Sequence, residues 1–139
     1  MPVLNDLAAA PYTGETVFAD LVHFVHVYMV EAHPKAPDPS PFNGLVSEME
    51  YSNVPQARHY DARVANALQS RALIHGAQIQ LVDALDPRGP INPVWCTYGP
   101  TPNGTYLIGQ DGIIRYASSW TFGHEVEEAM RLLLEESDD

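Results

Sequence analysis

The stretch Val22-His23-Phe24-Val25-His26-Val27-Tyr28-Met29 decides the fold class of this chain. It is rich in β-branched and aromatic residues and carries apolar side chains on both faces. That is the pattern of a strand covered by helices on either side, as in parallel sheets. The strand runs out into Glu31-Ala32-His33-Pro34.

Downstream lies a connection of about twenty residues without evident regular structure, holding Pro34, Pro37, Pro39, Pro41 and Pro55. Connections of that length are often lids or binding loops, and the plainer reading is a surface excursion pinned by prolines. From Gln56 to His75 the chain reads as a helix, with Val64, Leu68 and Ala72 at four-residue spacing and Gly76 placed to stop it. Ile79 to Val82 reads as a short strand and Asp83 to Pro93 as loop. Tyr106-Leu107-Ile108 and Ile113-Ile114-Arg115-Tyr116 flank Gly109-Gln110-Asp111-Gly112, and Asp-Gly between two apolar runs signals a hairpin. Gly123 opens a last helix with Val126, Met130 and Leu133 on one face. No internal repeat or linker appears, so residues 1–139 read as a single domain.

The chain has 139 residues, 45% of them hydrophobic, which suits one globular core. Lys and Arg number 7 against 18 Asp and Glu, a formal charge of −11. Nucleic acid and anionic membrane are therefore poor partners, since both call for a basic surface. The acidic run Glu135 to Asp139 reads as a solvated tail. No run approaches the roughly 18 apolar residues of a membrane span, and Met1 to Asp6 has no signal-peptide pattern. The single Cys excludes an intrachain disulfide, so a reduced, cytoplasmic setting is expected.

The order strand, helix, strand, hairpin, helix is that of the second half of a thioredoxin fold. Thr101-Pro102 stands before the hairpin, where such folds place a cis-proline beside the active site. More closely, the sequence resembles the iodothyronine deiodinases and their bacterial deiodinase-like relatives. The resemblance rests on Phe24-Val25-His26-Val27-Tyr28-Met29-Val30-Glu31-Ala32-His33-Pro34, on Leu81-Val82-Asp83-Ala84-Leu85-Asp86, and on Tyr98-Gly99 followed by Tyr106-Leu107-Ile108, the Asp-Gly turn and Ile114-Arg115-Tyr116. It spans roughly Phe18 to Leu134. The fold it implies is α/β: a thioredoxin-like domain with a truncated or rearranged N-terminal portion and a central mixed sheet flanked by helices.

Two family features are missing. The nucleophilic selenocysteine or cysteine lies before the strand matched here, and nothing before Val22 is a Cys. The arginine that clamps iodothyronine falls, by register, on Gly104. Deiodination is thus not implied. The family's first strand is central, and losing it would leave inner edges with unpaired backbone groups. Pro2-Val3-Leu4-Asn5 is the expected stub of that strand, with Asp6 to Asp20 as the parallel crossover and Ala8-Ala9-Ala10-Pro11 in place of the redox loop. A rearranged N-terminus or a second subunit covering the edge are the alternatives, and a homodimer is expected in either case.

Glu31 and His33 stand at the carboxyl end of a strand, where open α/β sheets place their sites. In the resembling family these positions handle protons around the nucleophile, with Tyr28 nearby. An imidazole suits proton transfer near neutral pH, and a neighbouring carboxylate can orient it; equally, both can be fold residues that hold the following loop. Cys96 is either a thiol nucleophile or a small buried hydrophobe. His23 and His26 lie three apart on a strand, point to opposite faces and cannot share a metal. His124 and Glu128 read as a surface pair on the last helix. No metal or cofactor is expected. Trp95, Tyr98, Pro102, Trp120 and Phe122 flank the hairpin and are candidate walls of a pocket for an apolar or aromatic small molecule.

The resulting expectation is a redox-independent enzyme of secondary metabolism, acting on a small organic substrate by isomerisation, dehydration or cyclisation. His33 is its acid/base, Glu31 the orienter and Tyr28 a hydrogen-bond donor. A non-catalytic binding or partner protein and a single-cysteine thiol enzyme using Cys96 are the alternatives.

Overall fold

The computed structural model describes residues 2–46, 54–76, 78–85, 92–99 and 103–137. Along the chain run helix α1 (Pro2–Ala9), strands β1 (Pro11–Thr13) and β2 (Thr16–Val17), and a turn of 3-10 helix at Phe18–Asp20. Then come β3 (Val25–Tyr28), α2 (Tyr60–Arg71), β4 (Ile79–Val82), α3 (Pro93–Tyr98), β5 (Thr105–Ile108), β6 (Ile114–Ser118) and α4 (Gly123–Ser137). The class is mixed α/β. Among the described residues the strands form three two-stranded sheets: β1–β2 and β5–β6 antiparallel, β3–β4 parallel. The single central sheet expected from the sequence is not among them. No helix in the described residues is long and apolar enough to cross a membrane.

The chain divides into two compact units. The first, Met1–Phe24, Ile74–Gln78 and Thr101–Asp139, holds an apolar core of Leu7, Ala8, Phe18, Phe24, Leu107, Val126 and Met130. Its N-terminus corrects the expected strand stub and crossover. Leu4, Leu7 and Ala8 repeat at helical spacing, so one stripe of α1 faces that core where a strand would have split them across two faces. The packing is close: a Cβ on Gly123, at the start of α4, would lie 3.1 Å from Val3 Cγ1. Asn5 Oδ1 ties α1 to residues 74–78, accepting from the His75 N–H at 3.1 Å and Gln78 Nε2 at 2.9 Å.

The hairpin β5–β6 forms where Asp-Gly signalled it, with Gly112 at φ 80°, a conformation that favours glycine. Asp111 accepts from the Ile113 N–H at 3.0 Å and from Arg115 at 2.7 Å, closing the turn. On α4, Arg131 donates to the carbonyls of Tyr12 and Pro11 in β1, at 3.1 and 2.9 Å. Its guanidinium lies 4.9 Å from the centre of the fully buried Phe18 ring. One side chain thus ties the last helix to the first strand. The acidic tail is part of this helix as far as Ser137.

The second unit is Val25–Leu73 and Ile79–Pro100. His59 caps α2, its Nδ1 accepting from the Ala62 N–H at 3.3 Å; Asp61 and Arg71 suit the helix dipole at either end. The helix is shorter than the sequence suggested and turned differently. Its buried side chains are Arg63, Asn66 and Ala67, while Leu68 of the anticipated apolar stripe is 66% exposed. The strand anticipated over 22–29 contracts to β3, and the one starting at Ile113 to β6. The loop expected to run through Pro93 gives way at that residue to α3, a helix the sequence reading missed. Asn92 precedes it, Pro93 stands in its first turn, and the Asp83 carboxylate caps it from a distance.

The β3–β4 register pairs Val25 with Ile79 and Val27 with Leu81, so these four share one face. Gln80, on the other face, bonds the Ala67 carbonyl and Ser70 Oγ of α2 at 3.0 and 2.9 Å. Val25, Ile79 and Leu81 are 45%, 44% and 51% exposed, which corrects the expectation of cover on both sides.

The proline-rich segment closes on itself. The Lys35 N–H donates to the Val54 carbonyl and the Ser40 N–H to the Leu45 carbonyl, both at 2.8 Å. Ser40 Oγ reaches back to the Ala32 carbonyl at 2.7 Å, and Pro34 is fully buried. Ala36–Pro37 is a cis peptide. The Thr101–Pro102 bond expected to be cis lies outside the described residues.

Replacing Arg131 with Ala is expected to lower stability by about 1–3 kcal/mol, through loss of its carbonyl and ring contacts. Urea unfolding of the two proteins measures this. Lys at the same position should recover less than half, because it lacks the planar fork.

Candidate functional site

Glu31 follows β3 and is clamped through backbone and side chain alike. Its N–H donates to Gln56 Oε1 at 3.0 Å, and its carbonyl accepts from Gln56 Nε2 at 3.3 Å. One glutamine amide thus pairs with Glu31 as a neighbouring strand would, closing the proline-rich segment at its base. Gln56 is itself held, its N–H donating to Asp38 Oδ2 at 3.2 Å, and Asp38 also takes a 2.7 Å ion pair from Arg58.

The Glu31 carboxyl faces α2. Asn66 Nδ2 donates to Glu31 Oε1 at 3.2 Å and to the Pro55 carbonyl at 3.0 Å. Among the described residues no group donates to Oε2. Burial is the main influence on this carboxyl and raises its pKa from 4.5 to about 7; the Asn66 hydrogen bond and the Arg63 charge act in the opposite direction. The group is therefore poised to exchange a proton near neutral pH.

Arg63 organises the interior behind it. Nη1 donates to the carbonyls of Asp83 and Ala84, each at 3.1 Å, and Nη2 donates to Asn92 Oδ1 at 2.6 Å. The residue is 1% exposed, and its Nε has no partner among the described residues. Burial presses its pKa down, while the charges of Asp83 and Glu31 press it up. The buried Asp83 carboxylate in turn accepts from the N–H groups of Val94 and Trp95, at 3.0 and 3.1 Å. α2, the end of β4 and the start of α3 thus share one polar interior, in a unit whose buried apolar side chains among the described residues are Pro34 and Ala67.

The anticipated site residues fall in several places. Glu31 and His33 are not joined: His33 is exposed, makes no hydrogen bond among the described residues, and leaves Asn66 as the partner of Glu31. Tyr28 ends β3, its carbonyl accepting from the Asp83 N–H at 2.8 Å. Trp95, Cys96 and Tyr98 lie together on α3. Trp95 meets Phe42 edge-on at 4.9 Å, and Cys96 is a free, exposed thiol, which corrects the buried alternative for it. Trp120 and Phe122 belong to the first unit and are exposed. Pro102 lies outside the described residues. A cleft of about 560 Å³ opens beside β3 and β4, walled by Val27, Leu81, Val82, Pro93 and Val94; Glu31 is not among its lining residues. No cluster of three or more His, Cys, Asp or Glu side chains among the described residues is arranged to hold a metal ion.

Asn66, Gln56 and Arg63 escaped the sequence reading. A signal was present in Arg63, Asn66 and Ala67, spaced three and four apart on a helix whose other stripe is apolar but outward. Comparison with known protein families, with curated proteins and with solved structures gives no match to this chain in any of the three.

The raised Glu31 pKa carries a stability signature. Below about pH 4.5 the carboxyl is protonated in both states and its contribution is fully present; as pH rises toward 7 only the unfolded chain ionises, and that contribution is lost. Glu31→Gln should therefore gain in urea midpoint relative to the native sequence as pH is raised from 4.5 to 7. A difference between the two proteins that stays constant over this range would contradict the placement.

Proposed function

We propose that this chain is a small-molecule enzyme of isomerase, dehydratase or cyclase type, on a thioredoxin-like scaffold resembling the deiodinases. It works by proton transfer and without a redox cysteine. The observation that carries this reading is Glu31, its backbone held by Gln56 and its carboxyl by Asn66, with one carboxyl oxygen unengaged among the described residues, just beyond the end of a parallel strand pair. Open α/β sheets concentrate their chemistry at that end. Glu31 therefore takes the role the sequence suggested for His33. A carboxyl that titrates near 7 is populated both as an acid that donates and as a base that abstracts. His33, exposed two residues further on, is available as a second proton carrier. Isomerisation and dehydration each need one proton removed and one delivered, and neither needs a covalent sulfur.

Proton abstraction is measured directly by incubating the protein in D2O with a panel of small carbonyl compounds and following deuterium incorporation by mass spectrometry. The native chain should label at least one member, and Glu31→Gln should lower that rate by about 10²-fold or more. Labelling that is equal in the two proteins across the panel would overturn the assignment.

One observation favours a second reading, a protein that acts by association. On one face of the strand pair Val25, Ile79 and Leu81 are 45%, 44% and 51% exposed, whereas parallel strands are ordinarily covered on both sides. A second copy brings the same apolar face and satisfies it by two-fold pairing. On this reading the native chain is a dimer by light scattering and Leu81→Glu is a monomer; a native monomer at high micromolar concentration would dismiss it.

A further inference from the structure

Both hydrogens of the Asn66 amide are committed, one to Glu31 Oε1 at 3.2 Å and the other to the Pro55 carbonyl at 3.0 Å. That pair of acceptors fixes which end of the amide is NH2, since an oxygen turned toward either partner would meet another oxygen. The side chain is 7% exposed on the inward face of α2, so it has little room to turn. The Glu31 backbone is equally held, by the two hydrogen bonds of Gln56. The carboxyl therefore meets its donor in one orientation. In a neutral carboxyl group the carbonyl oxygen is a better acceptor than the hydroxyl oxygen, so an N–H aimed at one oxygen favours the proton on the other.

With Glu31 taken as the proton carrier, we propose that Asn66 is its positioning residue, making Oε1 the carbonyl oxygen and Oε2 the oxygen through which the proton is exchanged. When Oε2–H gives its proton to a substrate atom, the O–H electron pair stays on the carboxylate, and the Asn66 N–H steadies the charge that develops on Oε1. The reverse step returns a proton to Oε2 and restores the same hydrogen bond. Among the described residues the charge acting on this carboxyl is that of Arg63 from α2, while its hydrogen-bond donor, Asn66, is neutral. Arg63 acts on the carboxyl through its charge, whereas Asn66 acts through a hydrogen bond directed at Oε1.

The test is a pH titration of the full chain, labelled with ¹³C and ¹⁵N, following the Glu31 carboxyl carbon and the Asn66 side-chain amide by NMR. In the native protein the two Asn66 amide protons should move unequally, the one on Oε1 shifting downfield at the same midpoint as the Glu31 carbon. In Asn66→Ala the Glu31 midpoint should rise by about 0.5–1 pH unit, the equivalent of one lost hydrogen bond. Asn66→Gln should restore part of that shift. Asn66 protons that ignore the Glu31 titration would overturn the proposal, and so would an unchanged midpoint in a folded Asn66→Ala. The native-protein measurement stands even where the variant does not fold. It reads the proton on the protein, so its failure is distinct from a failure of Glu31 to catalyse deuterium exchange.

Discussion

The second unit depends on one buried cation. The Arg63 guanidinium holds the carbonyls that end β4, fixes Asn92 ahead of α3, and lends its charge to the field around Glu31. A charge this deep is tolerated because two of its three nitrogens are engaged by oxygens, since desolvation without partners costs several kcal/mol per ion. Its Nε, without a partner among the described residues, carries a cost of about 1–3 kcal/mol. Networks of this kind are sensitive to any single deletion, because removing one partner strands the others.

The two units are stabilised in different ways. The first closes on apolar side chains: Phe18 and Met130 are almost wholly removed from water, and each is worth about 1.5–3 kcal/mol in burial. The second has polar groups at its centre and leaves an apolar sheet face uncovered within the unit. Buried hydrogen-bonded networks are directional where apolar packing is not, so they hold a functional group in one orientation. The clamped Glu31 lies in the unit built that way.

Part of the candidate site was legible and part was not. Glu31 announced itself by position, as an acidic residue just beyond a strongly patterned strand. Its expected pairing with His33 rested on the strand end and on the family resemblance, whereas the Glu31 carboxyl meets Asn66 of α2 and His33 is exposed. Asn66 and Gln56 are ordinary polar residues far from Glu31 along the chain, and nothing local marks them as its partners. α3 was missed for a similar reason, since the carboxylate that caps it belongs to Asp83 at the end of β4.

Local sequence determined the elements whose causes are local. The β5–β6 hairpin follows from Asp111-Gly112, where a positive φ is required, and α4 from the spacing of Val126 and Met130. Mixed α/β character and the strand at 25–28 were likewise written in composition and spacing. Tertiary structure alone decided that residues 2–9 form a helix, because that choice rests on the core that Leu7 and Ala8 join. It alone turned α2 so that Arg63 and Asn66 face inward, since the oxygens that make their burial tolerable come from Asp83 and Ala84 after β4, from Asn92, from the proline-rich segment and from Glu31. A buried polar side chain is chosen by its partners, and partners remote in sequence meet only when the chain has folded.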